Sequence, residues 1–210
     1  TRRRMLEACF SPTKGNGYRL CRTHINSCDF ALGNYAYVDD PADRALATFS
    51  VARDERALIP LIREAQKAAR APLTLFASPW SPPAWMKTND QMNRGGKLKP
   101  ACRQLWAEYI ARYVKAYAAK GGRLWGLTVQ NEPKATQSWD SCVFTAAEER
   151  DFVKNHLGPV LARRGLGRVK IFVWDHNKER VFERACAILG DKVAARYIAG
   201  VGFHWYSGDH

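Results

Sequence analysis

Five short apolar runs, separated by stretches of helical periodicity, constrain this chain more than any other feature. The runs are Tyr18–Ile25, Leu73–Ala77, the first half of Leu124–Pro133, Val169–Trp174 and Gly200–Tyr206. They have strand length and favour β-branched and aromatic residues. Residues 5–10 read as the end of a helix. From Arg53 to Arg70, the positions Ala57, Leu58, Leu61, Ile62, Ala65 and Ala69 form one helical stripe. From about Ala101 to Lys120, the ladders Leu105/Tyr109/Tyr113/Tyr117 and Trp106/Ile110/Val114 define a wide apolar face. Thr145-Ala-Ala-Glu148 is a capping-box pattern that opens a further helix, with a kink expected at Gly158-Pro159. Helices are also expected over Val181–Leu189 and Val193–Ile198.

Alternating strand and helix implies parallel strands with helices packed outside them. Two architectures meet that description. A doubly wound nucleotide-binding sheet would place a glycine-rich phosphate loop after a strand, and no G-x-G-x-x-G or G-x-x-x-x-G-K-[ST] stands in such a place. A (β/α)₈ TIM barrel gathers its chemistry at the carboxyl ends of successive strands, and here each strand ends on polar or aromatic residues. The expectation is therefore an α/β chain of the (β/α)₈ class. A closed barrel needs eight strands and typically about 250 residues. With about five βα units in 210 residues the barrel is incomplete, so residues 1–210 read as a partial catalytic domain, a piece of a longer enzyme. The start Thr1-Arg-Arg-Arg-Met, with Met fifth, has no apolar core or cleavage site and is not a signal peptide.

Composition narrows the function classes. No apolar run approaches the roughly 18 residues of a membrane span, so no integral membrane segment is expected. Lys and Arg exceed Asp and Glu by 13, a balance that attracts nucleic acid. The basic residues, however, are interleaved with apolar ones (Arg53, Arg56, Arg63, Lys67, Arg70), the pattern of a solvated helix face, and no nucleic-acid partner is expected. Cys9, Cys21, Cys28, Cys102, Cys142 and Cys186 are widely scattered with no C-x-x-C pair, which fits buried thiols better than a metal ribbon or a disulfide scaffold. No cofactor or metal is expected. His24, His176 and His204 come from three different strand ends, but no carboxylate–His spacing supports zinc.

The strand ends carry the candidate chemistry. The central strand closes in Asn131-Glu132-Pro133. A carboxyl at the end of a buried strand is partly desolvated, which would keep it protonated near neutral pH, and the amide before it can hold a sugar hydroxyl. Alone, the tripeptide also fits a merely capped strand end. The loop Ala31–Ser50, with Tyr35 and Tyr37, has the length of a functional loop. The loop Ser78–Asn89, with three prolines and two tryptophans, reads as rigid and aromatic.

Arg22-Thr-His-Ile-Asn-Ser-Cys-Asp-Phe30, Ala77-Ser-Pro-Trp-Ser-Pro-Pro-Ala-Trp-Met-Lys-Thr-Asn89, Thr128-Val-Gln-Asn-Glu-Pro133 and Phe203-His-Trp-Tyr206 together resemble glycoside hydrolase family 30, in particular its glucosylceramidase branch. The likeness runs over nearly the whole chain. It implies a (β/α)₈ barrel with a side β-domain, of which this chain spans the end of the first helix through the sixth strand. It further implies retaining hydrolysis of a β-glucoside, glucosylceramide or a β-glucan, by two carboxyl groups roughly 5 Å apart. By alignment Glu132 is the acid/base and Asn131 holds the 2-hydroxyl. The family's nucleophile, a glutamate at the end of the seventh strand, would follow His210, and Asp29, Asp175 and Asp209 are not promoted in its place.

The same resemblance suggests roles for neighbouring positions. Trp80 offers a flat face to the sugar ring, Asp29 accepts hydroxyls, and Arg22 orients a carboxylate. His204 and Tyr206 share one strand face by the period of two, with Tyr206 available to a nucleophile. Plainer readings stand beside these: Trp80 as packing in the barrel mouth, His204 as a satisfied core histidine, Cys28 as a buried thiol. Trp85, Trp106 and Trp125 are assigned to the core. A chain lacking the nucleophile could keep sugar contacts alone, as a non-catalytic binding remnant.

Overall fold

The computed structural model describes residues 1–207; Asp209 lies outside the described residues. Five parallel strands form one sheet in sequence order: β1 Leu20–Ile25, β2 Thr74–Pro79, β3 Leu124–Thr128, β4 Lys170–Asn177 and β5 Ile198–His204. Each strand pairs with the next along the chain, the winding of a barrel rather than of a doubly wound sheet, whose order reverses partway.

One helix precedes β1 and the others lie between successive strands in sequence. They are α1 Arg2–Phe10, α2 Leu58–Ala69, α3 Arg103–Ala119, α4 Ala146–Phe152, α5 Gly158–Arg163, α6 Val181–Leu189 and α7 Lys192–Ala195. The capping box forms as expected: Glu148 N–H donates to Thr145 Oγ1 at 3.1 Å and Thr145 N–H donates to Glu148 Oε2 at 2.8 Å. The expected break at Gly158-Pro159 takes another form. A π-helical turn, Val153–Leu157, joins α4 to α5, and this wider turn carries the helix past Pro159, whose ring would crowd the carbonyl four residues back. The helix expected to run to Ile198 ends at Ala195, because Ile198 pairs with Ile171 as the first residue of β5. Strand β5 ends at His204, so Tyr206 lies beyond the ladder and the period-two argument does not reach it.

The core fills the space between sheet and helices. Ile25, Leu75, Ala77, Leu127, Ile171 and Val173 of the strands join Trp106, Tyr109, Ile110, Tyr113 and Val114 of α3 in one buried cluster. The tyrosine ladder of α3 buries its hydroxyls with partners: Tyr109 donates to Asn26 Oδ1, Tyr113 to His24 O at 3.0 Å and Tyr117 to Asp54 Oδ2 at 2.6 Å, and Tyr37 and Tyr35 of the loop before Asp54 donate to the same carboxylate at 2.6 and 2.8 Å. Trp106 is fully buried, as expected. Trp125 is not a core residue: it is 39% exposed, its ring against Phe172 at 5.2 Å. A register slip leaves it unpaired between Leu124, opposite Leu75, and Gly126, opposite Phe76, and this bulge turns it to the face opposite the core, where it lines a cavity of about 360 Å³ with Arg22, Phe76, Phe172 and Phe203.

Candidate active site

The carboxyl ends of the strands converge on one cleft of about 530 Å³, lined by Arg22, Asp29, Trp80, Asn131, Glu132, His204 and Tyr206 together with Phe30, Phe203 and Trp205. All seven residues singled out in the sequence are brought together there. A cleft of similar size between α1 and α2 is lined by Arg3, Glu7, Lys14, Glu64 and Lys67, away from these strand ends.

Backbone geometry delivers the two central carboxylates. After β3 the chain turns at Glu132 with φ 47°, a left-handed conformation unusual for a residue with a side chain. The Asn131 N–H donates to Pro79 O at 2.8 Å and the Glu132 N–H to Asp175 O at 2.9 Å, so this turn is tied to both neighbouring strands. In β4 the register slips between Trp174 and His176, and both Trp174 (φ 74°) and Asp175 (φ 48°) are left-handed. This β-bulge re-aims Asp175 toward the cleft. Behind it, the Trp174 N–H donates to Oε1 of the fully buried Glu149, which Arg184 pairs at 3.0 Å.

Arg22 organises the floor. Its Nε donates to Ser78 Oγ at 2.9 Å, and its Nη2 donates to Asn131 Oδ1 at 2.8 Å and to Asp175 Oδ2 at 2.6 Å. Because Arg22 occupies the Asn131 oxygen, the amide NH₂ is the group left for a ligand. The guanidinium lies over the Trp80 ring at 4.6 Å, and Trp80 is only 8% exposed. Thr128 Oγ1 adds a second donor to Asp175 Oδ2 at 2.7 Å. His204 bridges the carboxylates, with Nδ1 at 3.1 Å from Glu132 Oε1 and Nε2 at 3.0 Å from Asp175 Oδ1. Tyr206, 49% exposed, sets its ring edge against His204 at 6.2 Å.

The electrostatics differ from the desolvated, protonated acid expected at Glu132. The hydrogen bond from His204 outweighs partial burial and holds the Glu132 carboxyl below the usual range. Burial pushes His204 down, but its bonds to Asp175 and Glu132 prevail and raise it to about 9. Burial would raise Asp175, yet the bond from His204, the Arg22 charge and Thr128 bring it below the usual range. Burial, with the nearby Glu132 charge, raises Asp29. Asp175 is therefore the site residue that sequence reasoning passed over, although its place at a strand end next to His176 was visible. Among the described residues no group of three His, Cys, Asp or Glu side chains is placed to hold a metal.

A parallel sheet wound in sequence order, with its titratable groups gathered at the carboxyl ends of the strands, defines a TIM-barrel chain whose working face is the top of the sheet. The particular family follows from comparison with known proteins: the chain belongs to glycosyl hydrolase family 30, whose TIM-barrel domain it matches over residues 2–210. It is 39% identical to the lysosomal acid glucosylceramidase of Mus musculus, over 98% of this chain and 41% of that protein. It is 30% identical to an endo-1,6-beta-D-glucanase of Neurospora crassa, over 93% of this chain and 41% of that protein. The crystal structure of SrfJ from Salmonella typhimurium superimposes with a TM-score of 0.93 at 45% identity, covering 99% of this chain and 46% of that one. The chain thus spans less than half the length of these relatives.

Proposed function

We propose that this chain carries the acid/base half of a retaining β-glucoside hydrolase of the glucosylceramidase type, with Glu132 as the general acid and base. The observation that carries the reading is Glu132 itself: a carboxyl on a strained turn at a strand end, held on one oxygen by His204 and facing a cleft that an amide and an indole also line. In the first step Glu132 protonates the glycosidic oxygen while a glutamate supplied by sequence following His210 attacks the anomeric carbon. In the second step Glu132 takes a proton from water, which releases glucose. The nucleophile's charge raises the Glu132 proton affinity before attack, and esterification removes that charge, so the same carboxyl turns from acid to base. The Asn131 amide donates to the 2-hydroxyl, Asp29 accepts sugar hydroxyls, and Trp80 backs the ring. Tyr206 reaches toward the nucleophile.

The rim favours an apolar aglycone. Phe30 is 90% and Trp205 72% exposed at the edge of the cleft, a placement that suits the lipid of glucosylceramide. The second reading, a β-1,6-glucan substrate, draws on the Neurospora crassa relative. Glucose release from glucosylceramide and from β-1,6-glucan oligomers separates them. The acid/base assignment is tested in the natural full-length protein by Glu132→Gln, expected to lower kcat/KM on an unactivated β-glucoside by about 10³-fold. Wild-type turnover by that variant would reject it.

A further inference from the structure

His204 stands between two carboxylates, 3.1 Å from Glu132 Oε1 and 3.0 Å from Asp175 Oδ1. A neutral imidazole carries a single N–H, so it would donate to one and turn a lone pair toward the other. Two ionised carboxylates are both satisfied only by an imidazolium. Asp175 has little freedom to adjust: it is 5% exposed, sits on the strained bulge, and its Oδ2 already accepts from Arg22 and Thr128.

We propose that Asp175 is a positioning residue that fixes His204 as an imidazolium on Oε1 of Glu132, leaving Oε2 as the oxygen that carries the proton to and from the glycosidic bond. The inference rests on the reading of Glu132 as acid/base. A carboxyl whose two oxygens are made unequal by a fixed donor presents its proton in one direction, the orientation that proton transfer requires. The imidazolium charge also makes Glu132 a stronger acid, as the lowering of its carboxyl by His204 indicates. Among the described residues, the other titratable or charged groups facing these three are Arg22 from β1, Asp29 from the following loop, Glu149 from α4, His176 and Glu179 from β4 and the turn after it, and Tyr206, whose ring packs against His204. Burial holds the His176 imidazole below its ordinary value.

The test uses the natural full-length protein and its Asp175→Asn variant, with two readouts. NMR of the imidazole nitrogens should place the His204 titration at about 9 in the wild type. In the variant it should fall to within about one unit of the ordinary 6.5. The second readout compares kcat/KM for an alkyl β-glucoside, whose leaving group needs the proton, with that for a dinitrophenyl β-glucoside, whose leaving group does not. Asp175→Asn should lose about 100-fold on the first and less than about 3-fold on the second. Should that variant not fold, Thr128→Ala removes one of the two bonds to Asp175 Oδ2 and is expected to lose about 5-fold on the alkyl substrate alone. Equal losses on both substrates, or an unmoved His204 titration, overturn the role of Asp175 and leave the activity reading intact. A wild type that cleaves neither substrate overturns the activity reading, and the proposal with it.

Discussion

Glu132, Trp174 and Asp175 each hold a left-handed backbone that costs about 1–3 kcal/mol in a residue with a side chain. Such strain persists only where surrounding bonds outweigh it, and here the Glu132 N–H to Asp175 O bond and the Trp174 N–H to Glu149 bond meet that need. Away from the cleft, Asp54 carries a comparable burden. It is 2% exposed and accepts three tyrosine hydroxyls, two from the loop before it and one from α3. Hydrogen bonds to a charged acceptor are worth about 1.5–3 kcal/mol each, so Asp54→Ala is expected to destabilise the protein by about 3 kcal/mol or more. Urea denaturation measures this directly. Neither Asp54 nor Asp175 was legible in the sequence as a hub. An aspartate beside a helix start reads as a cap, and one after a strand reads as a loop residue. Their acceptor roles depend on groups that lie far from them along the chain, such as Tyr117 and Arg22.

Elements that declare themselves by local chemistry formed as read. The ladders of α3 and the Thr145 capping box depend on spacing within a few residues, whereas the stripe expected along α2 is shifted: Ile62, Ala65 and Ala69 are buried as read, but Ile59 takes the place given to Ala57 and Leu61, which are exposed. The π-turn between α4 and α5 and the bulge in β4 depend on neighbours and were not legible. Helix α6 supports the bulge from outside: Arg184 pairs with Glu149, donates to Phe144 O at 2.5 Å and lies 5.2 Å from the Trp174 ring. In Glu149→Gln the amide oxygen can still accept the Trp174 N–H, but the guanidinium loses its counter-charge. Breaking one side of a buried pair costs about 3–5 kcal/mol. The expected outcome is a loss of that size in denaturant unfolding. The double variant with Arg184→Met is expected to recover about half of it, because the unpaired charge is then gone.

Across the whole molecule, the half-buried His204 and the buried Lys87 give stability an uneven dependence on pH. His204 is raised to about 9 when folded. Its contribution is complete below about pH 6.5, where it is charged in both states, and fades as pH rises from 6.5 to 9 while the unfolded chain releases the proton first. Lys87, fully buried and bonded to Met92 O and Ser141 O, is lowered by burial to about 8 from 10.5. Between those values the folded chain releases the proton first, so stability rises with pH there. Unfolding free energy should therefore fall from about pH 6.5 to 8, level between about 8 and 9 where the two groups oppose each other, and rise from about 9 to 10.5; His204→Asn should remove the fall and Lys87→Met the rise. The order of strands and the outward helices were determined by sequence, because period and length are local and a parallel βα chain winds one way; the gathering of Arg22, Asp29, Trp80, Asn131, Glu132, His204 and Tyr206 at one end was expected from the motifs' resemblance to a glycoside hydrolase family. Tertiary structure alone decided which face Trp125 took, the bulge that aims Asp175, and the sign of the shift at Glu132. Those depend on distances between residues far apart in the chain, and a proton is held by whatever lies within about 3 Å of it.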